Sequence, residues 1–239
     1  MSRTVAFFRP NDERAREAER LLRDLGAEPL SDPMLSIEPT GTAARSEADY
    51  TILTSKTGAE LVAGTEFDPA GELVAIGTPT AEAMEAAGYA VDRLPSEFSS
   101  AGLVDELENE CAGKRIEIAR SDHGSDVLTD GLNDAGAYVH ETVLYRLVRP
   151  PESGRSAVAA SDGDLAGACF TSSLTVGHFL EAAAERGVRN EAIEGLSDAV
   201  VGAIGKPTAE TARKNGIDVD VVPETAEFEA LAGAVVDRL

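Results

Sequence analysis

The sequence predicts an α/β protein of two similar domains, each with a parallel sheet flanked by helices. Three observations predict it. Short apolar runs of strand length alternate with amphipathic runs, as βα units with crossover helices do. The chain also repeats itself: Ala75-Ile76-Gly77-Thr78-Pro79-Thr80-Ala81-Glu82 returns as Ala203-Ile204-Gly205-Lys206-Pro207-Thr208-Ala209-Glu210. The match continues without a gap, from Gly88 and Gly216 through Val91-Asp92 and Val219-Asp220 to Pro95 and Pro223, then Leu103 and Leu231. Finally, 239 residues exceed one typical domain and suit two modest ones.

The elements follow in order. Thr4 to Phe8 is a first strand, stopped at Arg9-Pro10. Asp12 or Asn11 caps a helix whose apolar positions Ala15, Ala18, Leu21, Leu22 and Leu25 recur at helical spacing, and Gly26 closes it. Prolines bracket an extended piece over 29–39. After a loop at 41–46, Ala48 to Leu53 is a buried strand, 57–62 a helix, 73–76 a strand and 79–87 a helix closed by Gly88. Tyr89 to Leu94 reads as a short strand, 100–111 as a helix, 115–119 as a strand, and 126–135 as a helix closed by Gly136. Ala137 to Val148 is one long strand or a pair, ended by Pro150-Pro151. The second half has an apolar stretch at 157–160, then strand 168–170, helix 175–185, strand 199–204, helix 207–215, strand 219–222 and helix 228–239.

Two extended, proline-flanked pieces bracket the middle third. If both cross between domains, residues 34–39 and 143–149 are the linkers. Residues 40–142 then form one domain, and 1–33 with 150–239 the other. The repeat supports this: the last third lacks a strand–helix unit that the N-terminal segment supplies.

Composition bounds the function. The formal charge is −22, and Lys56, Lys114, Lys206 and Lys214 are the only lysines. Acidic residues lie on helix faces rather than in a tail. This is the pattern of a surface adapted to a salt-rich cytoplasm, where the Debye length shrinks to roughly 3 Å at molar salt. The competing reading is an acidic protein that binds cations or basic partners. No basic stripe with interleaved aromatics exists, so no nucleic-acid partner is expected. No apolar run is long enough to span a membrane. The apolar part of Met1 to Phe8 is too short for a signal peptide, which points to the cytoplasm. Cys111 and Cys169 stand in no metal or redox spacing, and His123, His140 and His178 show no ligand spacing. Neither a serine-hydrolase elbow nor a Walker or Rossmann phosphate loop is present. Ser121-Asp122-His123-Gly124 reads as a polar loop after a strand, with Ser121 or His123 available to line a site.

Seven stretches together resemble the uroporphyrinogen-III synthase family. They are the strand ending in Arg9-Pro10; Leu53-Thr54-Ser55; Ala75 to Ala81; Ala119-Arg120; Val143-Leu144-Tyr145-Arg146; Phe170-Thr171-Ser172-Ser173; and Ala203 to Ala209. They cover essentially the whole chain, in the family's order. The resemblance implies two α/β domains joined by a two-stranded antiparallel linker, with the active site in the cleft between them. It implies a monomer and a lyase reaction: hydroxymethylbilane loses water and closes to uroporphyrinogen III with ring D inverted. The route runs through an azafulvene and a spiro intermediate, with no cofactor and no metal. A transient contact with the enzyme that makes the substrate is a further expectation.

Such a site must hold a flexible polycarboxylate in a folded pose, protonate a departing hydroxide, and keep water from a reactive cation. Loop–helix junctions at Thr54-Ser55, Gly77 to Thr80, Thr171-Ser172-Ser173 and Gly205-Lys206-Pro207-Thr208 offer amides and hydroxyls to carboxylates. Thr80 and Thr208 equally suit first-turn capping, as do the Thr and Ser residues at the strand ends. Arg9, Lys56, Arg120, Arg146 and Lys206 are candidate local cations. Arg9 and Arg120 stand at strand ends, where α/β ligand sites form. By resemblance, Tyr145 is the proton donor; packing the crossing strands is its other reading. A non-catalytic two-domain binder of a small anion is the alternative function.

Overall fold

The computed structural model describes residues 3–239. Met1 and Ser2, which open the segment read above as too short for a signal peptide, lie outside the described residues. In chain order the elements begin with β1 (Thr4–Phe7), α1 (Glu13–Asp24), β2 (Glu28–Ser31), β3 (Ser36–Pro39), β4 (Tyr50–Leu53) and α2 (Lys56–Ala63). Next come β5 (Glu72–Ala75), α3 (Thr78–Ala86), α4 (Ser100–Leu107), β6 (Arg115–Ser121), α5 (Asp126–Asp134) and β7 (Tyr138–Val148). The chain ends with α6 (Arg155–Ser161), β8 (Gly167–Phe170), α7 (Ser173–Glu185), α8 (Arg189–Ser197), β9 (Val200–Ala203), α9 (Lys206–Lys214) and α10 (Phe228–Val236). No described helix is long and apolar enough to cross a membrane.

The chain divides into two compact units, Met1–Ser36 with Val148–Leu239, and Ile37–Leu147. The discontinuous unit holds a four-stranded sheet in the order β2-β1-β8-β9, with parallel pairings. β1, β8 and β9 are buried on both faces, so apolar residues fill both. Ala6, Phe8, Ala168, Phe170 and Val201 pack with α6 to α9. Val5, Phe7 and Cys169 alternate to the other face and meet α1 and α10. Phe8 stacks on Phe170 with centroids 4.6 Å apart, and Phe179 meets Phe170 edge-on at 5.6 Å.

The continuous unit holds a five-stranded sheet in the order β3-β7-β6-β4-β5. β4 pairs in parallel with both β5 and β6, and β6 with β7. Tyr50, Ile52, Ile116 and Ile118 face α4 and α5, while Leu53, Leu73, Ala119 and Tyr145 face α2 and α3.

The repeat is a repeat of structure. Leu53 pairs with Ala75 and Phe170 with Ala203, so both copies leave their sheets at the same level. Asp92 accepts from the Leu73 amide at 2.8 Å, and Asp220 from the Val201 amide at 2.8 Å. Gly88 and Gly216 end α3 and α9 at φ 92° and 83°, a region open to glycine without strain.

Several expectations need correction. Tyr89 to Leu94 and Val219 to Val222 are not strands; each contributes one bridge, Val74 to Arg93 and Gly202 to Val221. β2 forms despite Pro29, because β2 is an edge strand and its second side needs no donor. Two helices were unforeseen, α6 and α8. The cap of α6 is tertiary: Asp32 accepts from the Gly154 amide at 3.0 Å, the Ser156 amide at 2.8 Å and the Ser156 hydroxyl at 2.6 Å. α8 begins at Val188 with no side-chain cap. It is held by contact instead: a Cβ on Gly195 would lie 1.8 Å from the Ala160 carbonyl oxygen of α6. The longer helices also stop early, α4 at Leu107 and α10 at Val236.

Candidate active site

Ligand sites of parallel α/β sheets form at the carboxyl ends of the strands. In the continuous unit, β4 ends at Leu53 and Thr54-Ser55 turns into α2. Ser55 is the N-cap, in extended conformation, and its oxygen accepts from the Gly58 amide at 3.0 Å. Tyr145 arrives from β7. Arg120 pairs with Val143 but Ser121 with Tyr145, so a bulge skips Leu144. Such an irregularity re-aims a side chain. The ring of Tyr145 packs among Leu53, Ala59, Val62 and Ala119, and the residue is only 6% exposed. Its hydroxyl lies 2.9 Å from Ser55 Oγ. Thr54, Ser55, Arg120, Ser121, His123 and Tyr145 line a cavity of about 210 Å³ at this mouth.

Arg120 does not reach out. It is 4% exposed. Nη1 donates to the Ser125 carbonyl at 2.6 Å, and Nη2 pairs with Glu141. Gly124 lies on its guanidinium, where a Cβ would sit 2.2 Å from Nε. Arg120 therefore braces the 121–125 loop from inside and edges the cavity. Within that loop, Asp122 accepts from His123 Nδ1 at 2.8 Å and from the Leu147 amide at 3.0 Å. Burial works against its charge, but these hydrogen bonds outweigh it and hold the carboxyl below its ordinary range. Gly77, N-cap of α3, is buried under Phe98, whose ring a Cβ would approach to 3.3 Å. Lys56 is exposed and pairs with Glu60 at 3.6 Å, and Arg146 is exposed.

The discontinuous unit has the corresponding mouth. Ser172 caps α7 in a reciprocal box with Thr175. The Ser173 hydroxyl donates to the Pro207 carbonyl at 3.2 Å and accepts from Thr211 at 3.0 Å, joining α7 to α9. Gly205 starts α9 with no side-chain cap, and Lys206 beside it is exposed. Thr171 is half-buried at the end of β8. Arg9, one residue past Phe8, lies 4.6 Å over the Phe228 ring. Burial, then Arg14, lowers its pKa from the ordinary value. Thr80 and Thr208 are 3% and 4% exposed, so their side chains pack the first turns of α3 and α9. Among the described residues, no group of three or more His, Cys, Asp or Glu is placed to hold a metal ion.

Sequence reasoning named Thr54, Ser55, Arg120 and Tyr145 as candidates, and the fold gathers them at one cavity. It gave Ser121 and His123 only as options, and it missed Ser100, Gly124 and Ser125, which also line it. Ser99 and Ser125, as N-caps of α4 and α5, were the available signal.

The family model described as "Uroporphyrinogen-III synthase HemD" matches residues 16–233. The chain belongs to the uroporphyrinogen-III synthase family. A Methanothermobacter thermautotrophicus protein provisionally named as that synthase is 30% identical, over 97% of this chain and 96% of its own. The uroporphyrinogen-III synthase of Synechococcus elongatus is 28% identical, over 90% and 87%. Among solved structures, a mutant uroporphyrinogen III synthase from Thermus thermophilus superposes with a TM-score of 0.69 at 20% identity, over 97% of this chain and 96% of that one. The Helicobacter pylori uroporphyrinogen-III synthetase gives 0.67 at 15% identity, over the full length of both. These two show a shared two-domain α/β fold. Family membership makes the chain a lyase of tetrapyrrole biosynthesis acting on a small molecule.

Proposed function

We propose that this chain closes hydroxymethylbilane to uroporphyrinogen III, inverting ring D and releasing water. Family membership over residues 16–233 carries the reading. The hydroxyl pair at the mouth of the continuous unit supports the assignment of Tyr145 as proton donor.

The terminal pyrrole of the substrate pushes electrons toward its hydroxymethyl carbon, and the C–O bond breaks. Leaving as hydroxide is costly; leaving as water, after proton transfer, is not. A phenol is protonated at neutral pH and supplies that proton. Ser55 is placed to support the phenolate left behind. Its oxygen already accepts from the Gly58 amide, so its own O–H is free to turn toward Tyr145. The positive end of α2 lies behind it. The azafulvene is then attacked by ring D through the spiro intermediate, which fragments and recloses.

Thr54, Ser55 and Gly77 in one unit, and Thr171, Ser172, Ser173, Gly205, Lys206 and Arg9 in the other, hold the substrate's carboxylates by amides, hydroxyls and two cations. Thr80 and Thr208 shape those turns, and Arg120 shapes the wall of the cavity. The acidic surface suits a salt-rich cytoplasm. We further read the enzyme as a monomer that meets its substrate-producing partner transiently.

The test is direct. Hydroxymethylbilane generated in situ is supplied, and the type I and type III products are separated. Type III is expected; type I alone, the spontaneous product, would leave a mere anion binder. Tyr145→Phe is expected to lower kcat at least tenfold with little change in KM. An unchanged rate removes Tyr145 as the acid.

A further inference from the structure

Ring closure moves two protons. One leaves with the hydroxide. The other is shed by the free α-carbon of ring D, at the end opposite the hydroxymethyl group: on reclosure this carbon forms the new C–C bond, loses its hydrogen as H⁺, and the C–H bonding pair returns to the ring. Tyr145 accounts for the first. A base for the second is on the same cavity wall.

His123 lines the cavity with Tyr145 and Ser55. An ionised carboxylate only accepts hydrogen bonds, so the 2.8 Å contact fixes Nδ1 of His123 as the donor to Asp122. The lone pair of the neutral ring is then on Nε2. Asp122 is itself fixed to β7 at two points: its carboxylate takes the Leu147 amide at 3.0 Å, and its own amide donates to the Tyr145 carbonyl at 3.2 Å. The imidazole is thereby moored to the strand that carries the acid.

We propose that His123 Nε2 is the base that accepts the α-carbon proton, with Asp122 as its positioning residue. This rests on the reaction proposed above. The imidazolium then returns the proton to the Tyr145 phenolate, so both groups regain their starting states and water is the only by-product. Asp122 on its own loop contacts the ring, and Arg120 on β6 and Tyr145 on β7 line the same cavity.

The experiment measures kcat and KM for type III formation by the full chain in molar salt. His123→Gln is expected to lower kcat about tenfold to a hundredfold, with KM within about twofold. Asp122→Asn is expected to lower kcat several-fold with KM within about twofold, because the imidazole loses its mooring. Wild-type kcat in His123→Gln overturns the proposal, and so does wild-type kcat in Asp122→Asn. If circular dichroism shows His123→Gln unfolded, the kcat of Asp122→Asn decides. A wild type giving only type I product fails the reaction itself, a result visible before any variant is assayed.

Discussion

The residue scale carries the chemistry, and the hydroxyl of Ser55 serves two structures at once. It caps α2 through Gly58 and meets the phenol of Tyr145. Ser55→Ala removes both roles. The lost cap costs about 1 kcal/mol, and the phenolate loses its neutral donor. A small fall in Tm and a several-fold fall in kcat are expected together, read by thermal melting and the isomer assay. A fall in Tm alone would make Ser55 a cap and nothing more. By contrast, Cys169 takes no part. It is fully buried in the sheet, and burial pushes its thiol up to about 12, so it stays protonated and unreactive.

At the scale of elements, tertiary contacts decide what local sequence leaves open. α6 has no N-cap in its own segment; Gly154, its cap position, has no side chain. Asp32 supplies the missing acceptor from the end of β2, with its carboxylate 1% exposed. Asp32→Ala is expected to cost on the order of 2–4 kcal/mol, since buried donors lose their partner. Tm should drop by roughly 5–10 °C; an unchanged Tm would show α6 to be held by packing alone. The seat of α8 is equally specific. Gly195→Ala drives a methyl into the Ala160 carbonyl and is expected to cost about 1–3 kcal/mol. Gly233→Ala in α10 is the control. Nothing lies within 4 Å of its added Cβ, so it should stabilise by roughly 0.5–1 kcal/mol.

For the whole molecule, charge and substrate are in conflict. A chain of formal charge −22 must take up a polycarboxylate. Several of its few cations are already engaged: Arg93 with Glu72 and Glu110, Arg149 with Glu185, and Arg120 with Glu141. Short hydrogen bonds at helix mouths act at contact distance, whereas the repulsion acts at range. Salt screens the second far more than the first. KM for hydroxymethylbilane is therefore expected to fall, and Tm to rise, as potassium chloride is raised from about 0.1 M to about 2 M. A KM that climbs with salt would mean that unpaired side-chain cations, not backbone amides, govern binding.

The sequence alone determined the βα rhythm, the internal repeat and Thr54 and Ser55 as site candidates, while Tyr145 came from the family resemblance. Those features are written locally: apolar period, glycine after a helix, hydroxyl at a strand end. Tertiary structure decided the rest. Only pairing of β6 with β7 reveals the bulge that turns Tyr145 toward Ser55, and only folding buries Arg120 beneath Gly124 and leaves His123 at the cavity. α6 depends on an aspartate more than a hundred residues away. Hydrogen bonds and close contacts between residues distant in sequence leave no periodicity behind, so the chain shows them only once folded.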